Sequence, residues 1–426
     1  MPGPSGLSAP KSERVLAQRD DRDPTVPVYV PSFGERETAL VSQAAREGWI
    51  TSHGPYLRRF ERRFTRFVRG DFGIATSSGT AALHVALAAL EVGPGDEVIL
   101  PDFTMVACLD AVLYTGASAV LVDVDPGTWT LDVALTEAAV TPRTKAIMPV
   151  HIYGHPVDMD RLRRLAQQHR LAIVEDAAEA HGSEFRGSPV GALGDLGCFS
   201  FYSNKIIATG EGGMVVTRSA RLARKVERLH ELAYASESRN YRHTGIGFNY
   251  RLTDLQAAVG LAQLDRLREF VRHRRRCARI YREVLEGLEG VELQEEAAWA
   301  KSAYWTFTIL LKGGSAQRDR VAAELLRQRV ESRVAFWPLH RQSFAAKHGL
   351  SEGHFDNSDR LGEGGLTLPF GNGITEETVF EVAHAVRTAV RLHPASTARN
   401  GRAKRTAASP LPTYVAPTGA RVAAQR

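Results

Sequence analysis

One stretch of the sequence decides the fold: Cys198-Phe-Ser-Phe-Tyr-Ser-Asn-Lys205, which continues as Ile-Ile-Ala-Thr-Gly-Glu-Gly-Gly-Met-Val-Val-Thr217. A short apolar run rich in aromatic residues predicts a buried strand, so we expect Lys205 at or just beyond its carboxyl end. The glycines allow a sharp turn before a second strand. Ligands of open α/β sheets bind at such strand ends. Because apolar surroundings favour a neutral amine, which forms Schiff bases, the pattern points to pyridoxal phosphate as the partner of Lys205.

A second apolar run, Leu171-Ala-Ile-Val-Glu-Asp176, ends in a carboxylate. Pyridoxal phosphate needs an acid at its pyridine nitrogen, because a protonated ring acts as an electron sink. Asp176 at the end of a neighbouring strand can supply that acid. It can equally be a turn or helix-capping aspartate, and this pattern alone leaves both interpretations open.

A third element predicts a phosphate site. Ala75-Thr-Ser-Ser-Gly-Thr80 leads into an Ala/Leu-rich helix that ends near Leu90. The free N–H groups and the dipole of a helix N-terminus attract anions, and small hydroxyl residues let a phosphate approach closely. An ordinary capped helix start has the same appearance. The glycine-rich signatures of nucleotide-binding folds are missing from the sequence.

Several segments together resemble the DegT/DnrJ/EryC1/StrS family of sugar aminotransferases, within the aspartate aminotransferase superfamily. The resemblance runs from about Pro27 to Arg391. Besides the Lys205 stretch, it rests on Trp49-Ile-Thr-Ser-His-Gly-Pro55, Pro149-Val-His-Ile-Tyr-Gly-His-Pro-Val-Asp-Met-Asp160, Glu175-Asp-Ala-Ala-Glu-Ala-His-Gly182 and Gly247-Phe-Asn-Tyr-Arg-Leu252. Jointly these segments are specific, although no single one is.

The resemblance implies roles around pyridoxal phosphate. Lys205 matches the Schiff-base lysine, Asp176 the partner of the pyridine nitrogen, and Glu179 the residue at the phenolic oxygen. Met105 falls where many relatives place an aromatic ring over the cofactor, and core filling is an equally good interpretation of it. The residues implied at the phosphate are Ser78, Gly79, Thr80 and Ser200. No residue is implied as a metal ligand.

The resemblance also implies substrate contacts and a homodimer with shared active sites. Asn249 resembles an asparagine that reaches the phosphate of the neighbouring subunit, and Arg251 an arginine that meets the donor's carboxylate there. His340 resembles a position on the substrate side. Tyr304 and Trp305 are further candidates for lining the pocket, and structural roles are open for these two and for His340.

The expected fold class is α/β, that of the pyridoxal-phosphate enzymes of fold type I. Between about Gly73 and Val216 apolar strands alternate with helical patterns, which predicts a mostly parallel sheet covered on both faces. We expect four parts in the chain: a flexible N-terminal segment (1–26), a large cofactor-binding domain (27–258), a smaller α+β domain (259–393) and a disordered basic tail (394–426).

The implied activity moves an amino group from L-glutamate, or L-glutamine, to a keto sugar, with a nucleotide-linked 4-keto-6-deoxyhexose favoured. Asp102 and Asp110 depart from the usual family pattern. Two carboxylates near a diphosphate would repel it, so either they point away or the acceptor is a non-nucleotide ketone such as a keto-cyclitol. A non-catalytic binding protein with this fold would be expected to lose Lys205 or Asp176. A related sugar 3-dehydratase carries histidine in place of the lysine. The presence of Lys205 therefore argues against a non-catalytic binding protein and against a dehydratase.

Charge and composition exclude other classes. The net charge of +6 equals the contribution of the six basic residues after residue 393, so the rest of the chain is neutral. The basic run Arg272-His-Arg-Arg-Arg276 falls within a predicted helix, Leu261 to about Leu288, where a solvated face is favoured over a nucleic-acid site. Three cysteines show neither metal-ligand spacing nor a disulfide framework. With no signal peptide pattern and no membrane-spanning run, we expect a cytoplasmic enzyme without nucleic-acid or membrane partners.

Overall fold

The computed structural model describes residues 25–29, 31–235 and 241–395. The predictions of a flexible N-terminal segment and a disordered tail therefore fall, over residues 1–24 and 396–426, outside the described residues. Val26, at the end of the predicted flexible segment, is paired: its N–H donates to Arg329 O at 2.8 Å, and its carbonyl accepts from Glu331 N–H at 3.0 Å. This pairing attaches the start of the described chain to its C-terminal part.

Of the first nine strands in the described chain, the seven that are four or five residues long follow apolar runs in the sequence. The bounds of all nine are β1 Phe72–Thr76, β2 Glu97–Pro101, β3 Ser118–Val122, β4 Thr144–Ile147, β5 Ala172–Asp176, β6 Glu184–Phe185, β7 Ser188–Pro189, β8 Leu196–Ser200 and β9 Gly213–Thr217. Seven of these form one sheet in the order β1-β9-β8-β5-β4-β2-β3. Only the pairs made by β9 are antiparallel in this sheet. The prediction of a mostly parallel sheet is confirmed.

Helices cover both faces of this sheet, which explains why its strands read as continuous apolar runs. The helices of this part are α1 Glu35–Arg46, α2 Pro55–Phe67, α3 Gly79–Ala89, α4 Ala107–Tyr114, α5 Val133–Ala138, α6 Met159–His169 and α7 Ala220–His230, with a 3₁₀ turn at Ile152–Gly154. Phe60 and Phe64 of α2 pack edge-on against Phe201 and Phe199, with ring centroids 5.0 and 4.8 Å apart. Phe199 and Phe201 are thus core residues that fix the strand leading to Lys205.

The C-terminal part has a second, antiparallel sheet with its own apolar cluster around Tyr281 and Phe307. Its elements are β10 Val291–Leu293, β11 Ala300–Lys301, β12 Phe307–Leu311, β13 Arg333–Val334 and β14 Gly365–Leu368, helices Gly314–Arg327, Asp356–Gly364 and Glu376–Leu392, and 3₁₀ turns Leu339–Arg341 and Ala345–His348. The sheet order is β10-β12-β14-β13, whereas β11 joins β6 and β7. This is an α+β arrangement, and the domain boundary after residue 258 stays a prediction.

One long helix, α8 Asp254–Leu285, packs against α1 and α2 with its first half and against the helix Glu376–Leu392 with its second. It begins seven residues before the predicted start because Thr253 and Gln256 form a capping box. Asp254 is fully buried and accepts from the N–H groups of Gly54, at 2.7 Å, and Leu57, at 3.0 Å. Its carboxylate thereby caps the start of α2. Among the described helices, none has both the length and the apolar character needed to cross a membrane.

Replacing Asp254 with alanine leaves two buried N–H groups unpaired. We expect Asp254→Ala to lower the free energy of unfolding by about 2–6 kcal/mol, because each of the two orphaned buried donors costs about 1–3 kcal/mol. Asp254→Asn keeps one acceptor oxygen and should lose about half as much. Urea unfolding followed by circular dichroism measures both. Equal stability of wild type and Asp254→Ala would refute this capping role.

Candidate active site

Lys205 follows β8 by five residues, in the turn between β8 and β9. Its side chain is only 11% exposed, and its amine lies 3.7 Å from Glu179 Oε1. The amine also stands 3.9 Å from the centre of the Trp305 ring. The Lys205 backbone carbonyl accepts from the Tyr29 hydroxyl at 3.4 Å, which ties the turn to the start of the described chain. The predicted nucleophile is thus nearly buried at the carboxyl edge of the sheet.

Glu179 is the carboxyl group that forms an ion pair with the lysine. It is buried, and its Oε2 accepts from Tyr153 N–H at 2.8 Å. Burial raises the pKa of Glu179 to about 7, although the Lys205 cation and the Tyr153 N–H both act to lower it. Near neutral pH this carboxyl group therefore exchanges a proton readily, and in its protonated form it can donate a hydrogen bond.

Asp176 ends β5, directly beside β8 in the sheet, in register with Cys198. Its Oδ1 accepts from Ala178 N–H at 2.9 Å, and its Oδ2 accepts from the Cys108 thiol at 2.9 Å. Burial raises the pKa of Cys108, and the Asp176 charge raises it further, so the thiol keeps its proton and acts as the donor. The carboxylate is fixed in direction by these two bonds, as an acid facing a ring nitrogen must be.

The predicted phosphate site is a tight contact between helix α3 and strand β8. Ser78 caps α3, accepting from Ala81 N–H at 3.1 Å, which leaves the N–H groups of Gly79 and Thr80 for an anion. A Cβ on Gly79 would lie 2.8 Å from Ser200 Cβ. Only glycine allows this approach, so Gly79 is required for the geometry that brings Ser200 to the helix start.

His340 is held by Asp102. The Asp102 carboxylate, fully buried, accepts from His340 N–H at 2.8 Å and lies 2.7 Å from His340 Nδ1. The other ring nitrogen stands 3.3 Å from Asp359, and the ring stacks on Phe355. Both oxygens of the Asp102 carboxylate are therefore already bound by His340. Asp110 lies half-buried on α4, where burial raises its pKa.

Tyr304 and Trp305 are neighbours in sequence but occupy different places. Trp305 packs over the Lys205 amine, and its Nε1–H donates to Asn204 O at 2.7 Å. Tyr304 has a positive φ and turns to the second apolar cluster, where its hydroxyl donates to Glu296 at 3.1 Å. Of these two candidates, the structure brings only Trp305 to the lysine.

The residues at this edge fit pyridoxal phosphate. Asp176 is an oriented carboxylate for the ring nitrogen, Glu179 faces the amine of Lys205, and the start of α3 offers N–H groups to a phosphate. The sequence pattern of the DegT/DnrJ/EryC1/StrS aminotransferase family matches residues 31–387. The chain belongs to this family. It is a sugar aminotransferase with the α/β fold of the pyridoxal-phosphate enzymes.

Relatives agree with this assignment over most of the chain. GDP-perosamine synthase of Caulobacter vibrioides is 41% identical over 365 residues, which are 85% of this chain and 98% of that protein. UDP-N-acetyl-3-dehydro-alpha-D-glucosamine 3-aminotransferase of Acidithiobacillus ferrooxidans is 42% identical over 318 residues, 74% of this chain and 83% of that protein. The sugar aminotransferase Spr1654 of Streptococcus pneumoniae, solved in its PMP-form, superposes with a TM-score of 0.82 at 27% identity, covering 86% and 98% of the two chains. The family is thus one of amino-sugar biosynthesis.

The remaining predicted residues lie at the surface. Met105, just before α4, is 47% exposed, which argues against core filling. Asn249 is exposed and Arg251 half-buried. Their segment runs beside the start of α3, because Ser77 N–H donates to Tyr250 O at 2.7 Å. The backbone of this segment therefore lies beside the predicted phosphate site, and the reach of Asn249 and Arg251 into a second subunit stays a prediction.

Arg274 is a residue of this site that the sequence interpretation missed, because it lies in the basic run expected to be a solvated face. Arg274 is fully buried. Its guanidinium donates to Trp305 O at 2.7 Å, to Tyr304 O at 3.2 Å and to Asn372 Oδ1 at 2.6 Å, and Asn372 in turn donates to Ile206 O at 2.7 Å. Burial lowers the pKa of Arg274 to about 10, so it stays charged at neutral pH. One guanidinium thus positions the Trp305 backbone directly and the Lys205 turn through Asn372.

Arg274→Met keeps the length of the side chain but leaves these carbonyls and Asn372 without their donor. We expect the free energy of unfolding to fall by about 3–5 kcal/mol, because three buried acceptors lose their donor and each such loss costs about 1–3 kcal/mol. Arg272→Met, on the exposed side of the same helix, should change it by less than about 0.5 kcal/mol. Urea unfolding separates the two. Similar losses for both variants would show that the basic run acts as one surface.

Glu179 should make the stability of the cofactor-free protein depend on pH. A carboxyl group whose pKa is raised by folding from 4.5 to about 7 contributes less to the free energy of unfolding as the pH rises through that interval. Glu179→Gln removes this effect. Relative to wild type, the variant should therefore gain about 1–3 kcal/mol between about pH 5 and about pH 8. Thermal unfolding across that range provides the measurement, and a difference that stays constant with pH would contradict the assignment.

Proposed function

We propose that this sugar aminotransferase moves the amino group of L-glutamate to the ketone of a nucleotide-linked 4-keto-6-deoxyhexose, with pyridoxal phosphate as its cofactor. The observation that carries the proposal is the grouping of Lys205, Glu179 and Asp176 at the sheet edge next to the start of α3. An amine, a carboxyl group with a pKa near neutrality and an oriented carboxylate together suit proton transfer next to a phosphate-bearing ring.

The cofactor would be held at both ends. Asp176 would face its ring nitrogen, and the N–H groups of Gly79 and Thr80, with the hydroxyls of Ser78 and Ser200, would face its phosphate. Bound there, pyridoxal phosphate supplies a carbon that carries the amino group and a ring that accepts electrons. The residues fit this group because the carboxylate is fixed by Cys108 and Ala178, and because Gly79 lets the hydroxyl-bearing Ser200 approach the start of α3.

Lys205 would transfer the proton that leaves the α-carbon of the amino-group donor. Its amine lies among Trp305, Glu179 and the sheet edge, where little water reaches it. As general acid–base it would take the proton from the α-carbon of the donor and deliver it to the cofactor carbon that carries the amino group. In the second half-reaction it would move a proton from that carbon to the sugar carbon. Glu179, 3.7 Å away, can hold or release a proton as the charge of the amine changes.

Two observations favour a nucleotide-linked acceptor over a keto-cyclitol. The carboxylate of Asp102 is bound by His340, so it is not a free charge facing a diphosphate. The names of the Caulobacter and Acidithiobacillus relatives both refer to nucleotide-linked sugars. Of the two carboxylates that supported the alternative, only Asp110 remains, half-buried on α4.

The proposal includes a homodimer with shared sites. Apolar side chains are exposed on the segment that carries Asn249 and Arg251, with Tyr241 86% and Ile246 89% exposed, and Tyr114 on α4 is 60% exposed. Exposed apolar groups of this kind mark interaction surfaces. A second copy of the chain that covers them would bring Arg251 toward a neighbouring active site. The buried free thiols of the described chain support a reducing compartment, and we propose the cytoplasm.

Lys205→Ala should abolish transamination while pyridoxal phosphate still binds without a covalent link. The expected loss is at least about 10³-fold, because the variant lacks both the amine that holds the cofactor and the general acid–base. Lys347→Ala, at an exposed position, serves as the control. Turnover with L-glutamate and the visible absorption of the bound cofactor are measured together. Full turnover in Lys205→Ala would remove the lysine from the mechanism.

The shared site can be tested by complementation. Lys205→Ala and Arg251→Ala should each be inactive, and mixing the two should restore activity because a mixed dimer contains one intact site. Subunit exchange is verified with differently tagged chains. If exchange is complete and no activity returns, the sites are not shared in this way.

A further inference from the structure

Tyr153 lies in a strained turn of the backbone. Within the 3₁₀ turn Ile152–Gly154 it has φ 56° and ψ 15°, a left-handed conformation that bulky side chains rarely adopt. Strain of this kind persists only where the surrounding structure holds it, and it is concentrated at functional sites. The contacts of Tyr153 show what the strain achieves.

The peptide groups of Tyr153 bind two residues that contact the Lys205 amine. Its N–H group donates to Glu179 Oε2 at 2.8 Å, and its carbonyl accepts from Trp305 N–H at 2.9 Å. Glu179 Oε1 and the Trp305 ring lie 3.7 and 3.9 Å from the amine. One residue thus connects, through its backbone, the carboxyl group and the aromatic ring beside the lysine.

Both bonds depend on the left-handed conformation. Moving φ of Tyr153 to an ordinary helical value would turn the carbonyl by about 120° about the N–Cα bond relative to the N–H group. Without movement of the neighbouring chain, only one of the two bonds would remain. Gly154 continues the turn with φ 95°, and a Cβ there would lie 2.8 Å from Tyr304 N, so the segment that carries Trp305 packs directly against this turn.

The ring of Tyr153 offsets the strain of its backbone. The side chain is buried, with its ring stacked on Phe336 at a centroid distance of 5.6 Å. The ring also packs edge-on against Phe103 at 6.1 Å and Trp129 at 6.4 Å. Buried aromatic rings in such arrangements contribute strongly to packing energy. The side chain therefore stabilises the turn, and the backbone of the turn contacts the active site.

We propose that Tyr153 is a positioning residue of this aminotransferase: its left-handed turn sets the directions of Glu179 and Trp305 and so holds the Lys205 amine between them. The inference rests on the proposed function for the use of this amine in catalysis. The positioning itself can be measured in the full chain without cofactor.

The pKa of Glu179 reports the position of Tyr153. Burial raises this pKa to about 7, the Lys205 cation and the Tyr153 N–H act to lower it, and the Asp176 charge acts to raise it. The N–H group stabilises the charged form of the carboxyl group, so loss of this bond raises the pKa further.

The test compares three substitutions at one position. Tyr153→Val removes the ring and excludes the left-handed conformation, because β-branched residues rarely have positive φ. Tyr153→Gly removes the same ring but adopts that conformation freely, and Tyr153→Phe keeps the ring. In cofactor-free protein, the titration of Glu179 is followed through the infrared band of its protonated carboxyl group. Subtracting the spectrum of Glu179→Gln in each background assigns that band.

We expect the Glu179 pKa to rise from about 7 to about 8 in Tyr153→Val and to stay near 7 in the other two variants. Hydrogen exchange of the Trp305 amide should be about tenfold faster in Tyr153→Val alone. If Tyr153→Val does not fold, Tyr153→Ala, which disfavours the left-handed conformation less strongly, should give about half the change. Val321→Ala, at a fully buried position of the C-terminal cluster, also lowers stability but should leave the Glu179 pKa unchanged.

The consequence for catalysis is measured in the cofactor-loaded enzyme. The L-glutamate half-reaction should slow about 10- to 100-fold in Tyr153→Val, because small displacements of reacting groups cost rate steeply. Tyr153→Phe should stay within about threefold of wild type. Normal turnover in Tyr153→Val, despite a changed Glu179 pKa, would contradict a role of this positioning in catalysis.

The outcomes separate this inference from the proposed function. An unchanged Glu179 pKa with unchanged Trp305 exchange in Tyr153→Val would overturn the inference and leave the proposed function standing. Equal changes in Tyr153→Gly and Tyr153→Val would also overturn it, since the ring and not the backbone conformation would then hold the two groups. If the pKa and the exchange change as expected but the wild type takes no amino group from L-glutamate, the positioning stands and the proposed function falls.

Discussion

The active site depends on the burial of one amine. Lys205 lies between the carboxyl group of Glu179 and the ring of Trp305, at the end of a strand that aromatic packing holds in the core. Burial moves the pKa of Glu179 to about 7 and couples its proton to the lysine. Around this pair the sheet places an oriented carboxylate on one side and a helix start on the other. The chemistry therefore follows from where neighbouring strands end.

Much of this could be predicted from the sequence because the relevant signals are local. The apolar runs before Asp176 and Lys205 each read as a buried strand with a chemical group at its end, and parallel strands bring such ends to one edge. The helix start at Ser78 was visible as a capping pattern. The contact between Gly79 and Ser200 needed the structure, since it joins residues far apart in the chain.

What the sequence interpretation missed depends on tertiary contacts. Arg274 was read with its charged neighbours as a solvated face, yet it occupies an inward position of α8 together with Val271, Cys277 and Ala278. That helical spacing was a signal that could have identified it. Asp102 raised the prospect of repulsion toward a diphosphate, and only the structure shows that its partner is His340, more than two hundred residues later in the chain. Charge read along the chain does not reveal which charges are paired.

We propose that the chain delivers an amino group to a nucleotide-linked keto sugar. The most direct measurement supplies ¹⁵N-labelled L-glutamate with GDP-4-keto-6-deoxymannose, and a keto-cyclitol in a parallel reaction, and follows the label by product NMR. We expect ¹⁵N bonded to C4 of the GDP-linked sugar, with 2-oxoglutarate formed in equal amount. Label in the cyclitol alone, with none on the nucleotide-linked sugar, would contradict it.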